Sequence, residues 1–590
     1  MDALTSNLSA IGQWAYPSPS KRAYLDLLNL GLFFLPLLLH TISIHLLLRH
    51  HKSPSANALR AGVLLPLNII FSIRAGLGCI LPSLSLGPNP SAKEGGVSYF
   101  MYTVGGERTE GGFQHFHVAM GVYSAYSIMR ALEWGLASRP PRLSPALLDL
   151  VRQERAREQG VATNNKTGSC KTTKNGDVDV PPTFLPRYIP GTTRRLEYDL
   201  LSNMRGIGWE WGIPYLPSHP PILHPTPHSP EAKSLQTRRG EMIASRFKYG
   251  LLFFLLSDIV DSILKEQAIF GPRANVGGPV SLGGVATEAI RYEEQPIYLQ
   301  WALTLLAGLI IPISMNGTFN LLSALSLLPA HLFPHSEWVW QRSYGDPSGW
   351  AAPLFQFPHA PKDLRTLWGR DWHALFRRPF LCVAYQPVNE TLKAVGLGVP
   401  VGQKDHGTNG KKSHQNGNDK KKVSEGIWRG TPGKMVRRAL SVLSVFLVSG
   451  LMHEAGQLAL ARTPAERDPW RFFGRGEPIL VYYPPSSMGA LRLAYVDTGG
   501  RAVLFFLMQG VGCVFEDAVE RMFASKGKGR TGVSKVAVRL LTWCWVAVWI
   551  FGWGHYVGKA WFRMGIAQGV ISFRATGALA HIIMQNLSRA

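Results

Sequence analysis

Residues 27–48 read LLNLGLFFLPLLLHTISIHLLL, an apolar run without a single Lys, Arg, Asp or Glu. A helix of about 20 residues crosses the ~30 Å hydrocarbon core of a bilayer, and this run is long enough to do so. It is also too long for a cleaved signal peptide, which favours a retained signal anchor. Similar runs lie at 61–81, 248–264, 297–315, 436–458, 502–519 and 536–557, with weaker candidates at 113–137 and 319–333.

These runs predict an all-α, polytopic integral membrane protein with about eight or nine transmembrane helices. Only 17% of the residues are charged, against about 25% in a typical soluble domain. The net charge of +24 comes from Lys and Arg between the apolar runs. That distribution fits cytosolic loops and anionic lipid, and it argues against a nucleic-acid partner.

The charge pattern also predicts an orientation and a division of the chain. The basic segments 50–60 and 521–539 are expected in the cytosol, and 83–112 and 266–295 in the lumen. We expect N-terminal transmembrane helices over 1–137 and a basic, partly disordered cytosolic segment over 138–244. Over 245–401 we expect transmembrane helices together with a surface or re-entrant helix that carries the sequence WGRDWH. Within this range, residues 381–401 are expected to be interfacial or re-entrant. A disordered insertion covers 402–426, and C-terminal transmembrane helices cover 427–590.

The first candidate site is the sequence SGLMHE at 449–454. If a helix begins near residue 436, His453 lies roughly 25 Å along it, still within membrane depth. An ionisable side chain at that depth is costly unless it faces a cavity or a partner. A neutral imidazole there can take a proton from a hydroxyl group. The alternative is an interfacial histidine at a helix end.

The second candidate is LWGRDWH at 367–373, followed by FRRP at 376–379. On one helix, Trp368 and Trp372 share a face, His373 and Arg377 form another i, i+4 pair, and Pro379 limits the helix. The alternative is a membrane-surface helix with Arg side chains reaching the interface. In a functional site, His373 faces the reaction chamber and a row of arginines meets the phosphates of an acyl carrier. That row is Arg370, Arg377 and Arg378.

The third candidate is RGIGWEWG at 205–212. Gly206 and Gly208 allow tight turns beside Arg205, and Trp209 and Trp211 suit the membrane interface. The GxG is too short for a dinucleotide-binding fingerprint and follows no predicted strand.

Together and in this order, the three motifs resemble the wax-synthase-like branch of the membrane-bound O-acyltransferase superfamily. The RGIGW, WGRxWH and SGLxHE elements are most similar to fungal members that acetylate hydroxyl groups of terpenoids and meroterpenoids. The resemblance covers roughly residues 205–558. It implies helices around an intramembrane tunnel, in a multi-pass protein of the endoplasmic reticulum.

The resemblance also implies residue roles. His453 is the catalytic base and His373 the second polar residue, a position where plant wax synthases tend to have Asn. Acyl-CoA, preferably acetyl-CoA, is the co-substrate, and a lipophilic alcohol in the bilayer is the acceptor. Trp368 and Trp372 join the three arginines in binding acyl-CoA, and Glu454 is a motif residue with a structural role. Long-chain-alcohol acylation, giving wax esters, is the alternative reaction.

No metal site, bound cofactor or oligomeric state is predicted. The segment HEAGQ at 453–457 lacks the second histidine of a zinc-binding HExxH motif. The five cysteines form no CxxC pair. Two other functions remain open, a scaffold without chemistry and a polytopic transporter that uses carboxylates in its membrane helices. Those carboxylates are Asp258, Asp261, Glu516, Asp517 and Glu520.

Overall fold

The computed structural model describes residues 2–17, 21–25, 29–80, 114–142, 144–145, 196–206, 209–212, 230–264, 296–334, 350, 353–355, 362–372, 375–397, 431–460, 479–481, 492–494, 500–524 and 535–563. Most of these residues are helical. The helices are α1 (Asp2–Ala15), α2 (Leu30–His50), α3 (Pro54–Leu59), α4 (Leu65–Leu77), α5 (Gln114–Leu136), α6 (Leu196–Ser202), α7 (Pro230–Leu264), α8 (Ile297–Leu332), α9 (Leu364–Thr366), α10 (Arg377–Phe380), α11 (Gln386–Ala394), α12 (Thr431–Leu460), α13 (Arg501–Ala524) and α14 (Lys535–Arg563).

Short π-helical turns and strands complete the described structure. The turns Arg60–Leu64, Leu367–Asp371 and Leu381–Tyr385 continue α3, α9 and α10. Strand β1 (Ala23–Tyr24) lies parallel to β2 (Cys79–Ile80), and β3 (Ile479–Val481) lies antiparallel to β4 (Arg492–Ala494).

Six helices in the described ranges are long and apolar enough to cross a membrane. The predicted helical, multi-pass membrane architecture is therefore confirmed. Two further runs, 113–137 and 248–264, are also helical and lie in α5 and α7. The six are Leu30–His50, Pro54–Leu77, Ile297–Leu332, Pro432–Ala459, Arg501–Met522 and Val536–Gly558.

The helix α8 unites two runs that the sequence pattern separated, 297–315 and 319–333. It continues through Pro312. At 1.5 Å per residue its length is roughly 54 Å, more than one bilayer core requires. It packs antiparallel to α7, with the Arg239 guanidinium bonded to the carbonyl oxygen of Ala330 and the Ser257 hydroxyl 3.1 Å from that of Ser314. The run 319–333 is therefore a continuation of one helix and not a separate crossing.

The interior of the first helices is polar, whereas many of their outward side chains are large and apolar. His40 Nε2 lies 2.9 Å from the hydroxyl of Ser127, and Asn68 Nδ2 lies 3.0 Å from His40 Nδ1. The Ser72 hydroxyl donates to Ser127 at 2.7 Å. These bonds join α2, α4 and α5. Polar contacts of this kind hold helices together in lipid, where apolar side chains gain little from leaving the surface.

Helix α12 packs between α5 and α13. On the α5 side, a Cβ atom on Gly121 would lie only 2.2 Å from the carbonyl oxygen of Ala455. Only glycine allows the two backbones to approach so closely. On the α13 side, Phe446 packs with Phe506 and Cys513 in a buried cluster. The helix that bears His453 is thus held on two sides.

Buried arginines donate hydrogen bonds to carbonyl oxygens at the C-terminal ends of two helices, α12 and α5. Arg22 donates to the carbonyl oxygen of Ala459 in α12 at 2.7 Å. Arg60 donates to the carbonyl oxygens of Trp134 and, at 2.8 Å, Ala137 at the end of α5. The last carbonyl groups of a helix have no partner within the helix, so a guanidinium group there satisfies them and favours the helix dipole.

The segment predicted as interfacial or re-entrant, 381–401, is helical up to Ala394. Its helical part packs against α12, and Arg437 of α12 donates to the carbonyl oxygen of Leu397 at 3.1 Å. Residues 398–401, the insertion 402–426 and most of 138–195 lie outside the described residues.

Candidate functional site

His453 lies near the end of α12, with its side chain partly exposed. Its Nδ1 is 2.8 Å from the carbonyl oxygen of Ser449, one helical turn earlier. Because a carbonyl oxygen only accepts, Nδ1 carries the proton in a neutral ring and Nε2 keeps its lone pair. Nε2 makes no hydrogen bond within the part of the chain that the structure describes. The ring is thus arranged to accept a proton at Nε2.

Phe506 of α13 connects His453 to the WGRDWH segment. The rings of His453 and Phe506 are stacked, with centroids 4.2 Å apart. Phe506 also contacts Trp368, and their ring centroids are 5.7 Å apart. Trp368 Nε1 donates to Gln509 Oε1 at 3.4 Å, and the Trp372 ring lies 5.5 Å from Trp368. The structure therefore brings the second motif, LWGRDWH, next to the first, SGLMHE, through aromatic contacts.

The local structure of WGRDWH differs from the single helix that the sequence predicted. The helical turn ends at Asp371, and Trp372 is extended, with φ −69° and ψ 163°. The single helix expected across this motif is therefore interrupted after Asp371, and that expectation is wrong. Pro379 lies in the first turn of a new helix, α10, where its missing N–H is not needed. His373 and the side chain of Arg370 lie outside the described residues.

The two remaining arginines of the predicted phosphate-binding row differ in their surroundings. Arg377 is exposed. Arg378 donates from Nε to Glu133 Oε1 at 2.6 Å, and Arg130 donates to the other oxygen of Glu133 at 2.5 Å. The Arg378 guanidinium also lies over the ring of Trp211, 5.3 Å from its centroid. Arg130 and Arg378 share the one buried carboxylate of Glu133, so this group of three keeps a positive charge. It joins α5, α10 and, through Trp211, the RGIGWEWG segment.

The RGIGW segment forms a tight turn inside the protein. Gly206 has φ +65°, a left-handed conformation that favours glycine, and the Trp209 N–H donates to its carbonyl oxygen at 2.9 Å. Trp209 is only 3% exposed and packs against Leu47 and Trp134. It therefore lies in a protein core, where the sequence pattern predicted a membrane interface. Gly208 lies outside the described residues.

Arg205 and its neighbour Arg246 pack over one aromatic ring. Their guanidinium carbons are 5.3 Å and 5.5 Å from the centroid of Phe319. Arg205 also donates to the carbonyl oxygen of Pro353 at 3.0 Å. Burial, together with the nearby charge of Arg246, lowers the pKa of Arg205 to about 10. The arginine of the third motif thus ties its turn to α8.

Glu454, next to the catalytic candidate, has a structural role. Its Oε1 accepts a hydrogen bond from the Gly500 N–H at 2.9 Å, at the start of α13. A carboxylate at a helix N-terminus satisfies a free N–H group and favours the helix dipole. Because α13 carries Phe506, this bond fixes the helix that supports the His453 ring.

The carboxylates of the transporter alternative lie at two locations, on α13 and on α7. Glu516 accepts hydrogen bonds from the backbone N–H groups of Leu364, at 3.0 Å, and Arg365, at 3.3 Å. The Arg365 side chain is bonded to Asp517 at 3.1 Å and to Glu520 at 2.6 Å. These three residues of α13 therefore hold α9. At the other location, Asp258 and Asp261 are buried on α7.

A crevice of about 200 Å³ opens between α12 and α13. Met435, Val442 and Cys513 contribute to its apolar wall, and Arg438 also lines it. From Val442 to His453 the helix rises roughly 16 Å. The crevice therefore lies at the opposite end of α12 from the histidine.

Sequence reasoning missed Phe506, which stacks on His453, and Gln509, which accepts a hydrogen bond from Trp368. Both lie in an apolar run, where nothing indicates which residues of α13 face α12. For Glu133 the sequence did indicate that a partner is present, because a carboxylate inside an apolar helix needs one. That partner, Arg378, is distant in sequence and was assigned to phosphate binding.

The fold and this geometry define a class of protein, a multi-pass helical membrane protein with a partly exposed histidine inside its helix bundle. Comparison of the chain with family models, with curated proteins and with solved structures finds no match. The activity of this histidine site is therefore a matter of proposal, based on its geometry and on the resemblance of its motifs.

Proposed function

We propose that this protein is a membrane-bound O-acyltransferase that transfers an acyl group from acyl-CoA to a hydroxyl group of a lipophilic molecule. The observation that carries the proposal is the hydrogen bond from His453 Nδ1 to the Ser449 carbonyl oxygen. It leaves Nε2 as a proton acceptor at membrane depth. The motif resemblance, and the contact of Phe506 with both His453 and Trp368, support the same reading.

The proposed reaction is a direct transfer with His453 as general base. Nε2 takes the proton of the acceptor hydroxyl while that oxygen attacks the thioester carbon. A carbon–oxygen bond forms, the carbon–sulfur bond breaks, and the thiolate of CoA leaves and takes up the proton. A base positioned in this way contributes about 10²–10⁴-fold to the rate. The reaction needs no covalent acyl-enzyme.

The proposed arrangement has eight membrane crossings, the six apolar helices together with α5 and α7. Helix α5 packs against α4 and α12, and its Glu133 is paired with Arg130 inside the protein. Helix α7 packs along α8. With these eight crossings the basic segments 50–60, 138–244 and 521–539 all fall on the cytosolic side. His453 then lies toward the lumenal end of α12.

The proposed substrates follow from the motif resemblance. Acyl-CoA, with acetyl-CoA preferred, approaches a tunnel from the cytosolic side, and Arg370, Arg377 and Arg378 with Trp368 and Trp372 hold it. Arg378 already pairs with Glu133, so Arg377 is the arginine with an exposed side chain for phosphate. The acceptor is a terpenoid-like alcohol dissolved in the membrane of the endoplasmic reticulum. His373 orients it or takes part in proton transfer.

The proposal is tested by acyl transfer in microsomes that contain the full-length protein. Labelled acetyl-CoA and palmitoyl-CoA are supplied with a panel of hydroxylated terpenoids and long-chain alcohols. We expect the wild type to acetylate at least one terpenoid, and His453→Ala to lose about 10²–10⁴-fold in rate. Preference for palmitoyl-CoA and a long-chain alcohol would indicate wax-ester synthesis.

His50→Ala is the matched control, because His50 is an exposed histidine at the end of α2. We expect this variant to keep the wild-type rate. Comparable turnover by His453→Ala would contradict the assigned base. Absence of transfer from either acyl-CoA to every alcohol would contradict the enzyme and favour the transporter alternative.

A further inference from the structure

The side chain of Gln457 lies one turn beyond His453 and has no hydrogen-bond partner among the described residues. It is only 2% exposed. Neither its amide nitrogen nor its amide oxygen is bonded in the part of the chain that the structure describes. Buried polar groups almost always have partners, because burial without one costs free energy. An amide that is open on both atoms among the described residues is available to a further group, such as a bound ligand.

Gln457 also lies on the face of α12 that carries the reactive nitrogen. Residues i and i+4 of a helix are neighbours, with Cβ atoms about 5–6 Å apart. The residues between His453 and Gln457 have other roles, since Glu454 bonds to Gly500 and Gly456 packs against Val118. Gln457 has neither a packing neighbour that uses its amide nor a helix end to cap.

We propose that Gln457 Nε2 donates a hydrogen bond to the carbonyl oxygen of the acyl thioester. This inference rests on the proposed function. When the oxygen of the acceptor hydroxyl attacks the thioester carbon, the electron pair of the C=O bond moves to the carbonyl oxygen. The carbonyl oxygen then carries a negative charge until the carbon–sulfur bond breaks. A fixed N–H donor near that oxygen stabilises the charge, while His453 Nε2 takes the hydroxyl proton on the attacking side.

Gln509 of α13 is a second buried amide, and its Nε2 is likewise unbonded among the described residues. Its Oε1, however, accepts from Trp368 Nε1 at 3.4 Å, which fixes the side chain in the aromatic cluster. Gln457 is bonded at neither atom and belongs to the same helix as His453. The geometry therefore assigns the thioester carbonyl to Gln457 and a packing role to Gln509.

The test uses two unreactive analogues of acetyl-CoA and the full-length protein in detergent. In the first analogue a CH2 group replaces the sulfur and the carbonyl remains in place. In the second the carbonyl is also replaced by CH2, so that the two differ only at the oxygen. We expect the wild type to bind the first about three- to tenfold more tightly, the effect of one hydrogen bond. Gln457→Met should bind both equally.

A second measurement separates this role from a structural one. Because Gln457 has no partner, its replacement by Met, which has a similar shape, removes an unsatisfied group and should raise the melting temperature. Gln236→Met is the matched control. Gln236 Nε2 donates to the carbonyl oxygen of His331 at 2.5 Å, so this variant should lose stability and keep the analogue preference.

Each outcome has a definite meaning. Equal binding of the two analogues by the wild type, or a preference that persists in Gln457→Met, overturns the role of Gln457 and leaves the acyltransferase proposal intact. Failure of the wild type to bind either analogue overturns the acyltransferase proposal, and the inference with it. If Gln457→Met does not fold, Gln457→Leu gives the same comparison, since its apolar side chain offers neither a donor nor an acceptor.

Discussion

Gly450 of the SGLMHE motif lies where α12 and α13 come closest, so Gly450→Ala should push the two helices apart. A Cβ atom at this position would lie 2.6 Å from Cα of Val503, whereas ordinary contacts begin near 3.4 Å. The backbones must therefore separate by roughly 0.8 Å, and such overpacking costs about 1–3 kcal/mol. Val503 lies one turn before Phe506, so the same displacement moves Phe506 away from the His453 ring and should slow acyl transfer.

Gly308→Ala is the matched control, because a Cβ atom on Gly308 of α8 has nothing within 4 Å. Both substitutions gain roughly 1 kcal/mol of helix propensity, so their difference isolates the overpacking cost. The melting temperature is measured in detergent with a thiol-reactive fluorescent dye, which reports unfolding because Cys79 and Cys513 are buried. If Gly450→Ala melts at the temperature of Gly308→Ala or above it, the close approach of α12 and α13 is wrong.

Two further predictions concern the helices around the site. Arg60→Met leaves the last carbonyl groups of α5 buried without their donor, so it should lower the free energy of unfolding by about 1–3 kcal/mol; an unchanged melting temperature would refute this cap. Burial alone raises the pKa of Glu197, but its backbone hydrogen bond and the neighbouring His45 and Arg49 outweigh burial and lower this pKa below its ordinary value of 4.5. The carboxylate therefore stabilises the folded state above that pH, and this stabilisation is lost as the pH falls through the lower, folded-state value. Glu197→Gln should remove about 1 kcal/mol at pH 7 and less at pH 3, and equal losses at both pH values would contradict the pairing.

Much of the fold could be predicted from run length, because an apolar segment longer than a bilayer core has few other stable arrangements. The runs 27–48 and 436–458 fall within α2 and α12 with small differences at their ends. The run 319–333 could not be assigned, since a polar residue such as Asn316 suggests a break in lipid. In the structure the Asn320 amide donates to the Asn316 carbonyl oxygen at 2.7 Å, so polar side chains bond within the continuous helix.

The site could be predicted only where one residue carries its own signal. His453 was identifiable because an ionisable side chain at membrane depth needs a reason. The contacts of Phe506 with His453 and Trp368 depend on how α13 rotates against α12, and no local pattern encodes that rotation. The end of the helix at Asp371 was missed because no glycine or proline lies between Asp371 and Pro379 to indicate it. Trp209 was placed at the interface by residue type, but its neighbours Leu47 and Trp134 come from distant segments.

The bond from Arg22 to the end of α12 has a consequence for the order in which the protein is assembled. Its two residues are 437 positions apart in the chain. At a synthesis rate of about 5–20 residues per second, the N-terminal segment waits roughly 20–90 seconds before its acceptor exists. The pair α7 and α8, in contrast, can associate soon after both have been made. The end of the histidine helix is therefore capped late in biosynthesis, so a nascent or truncated chain has its early helices in place before the surroundings of His453 are complete.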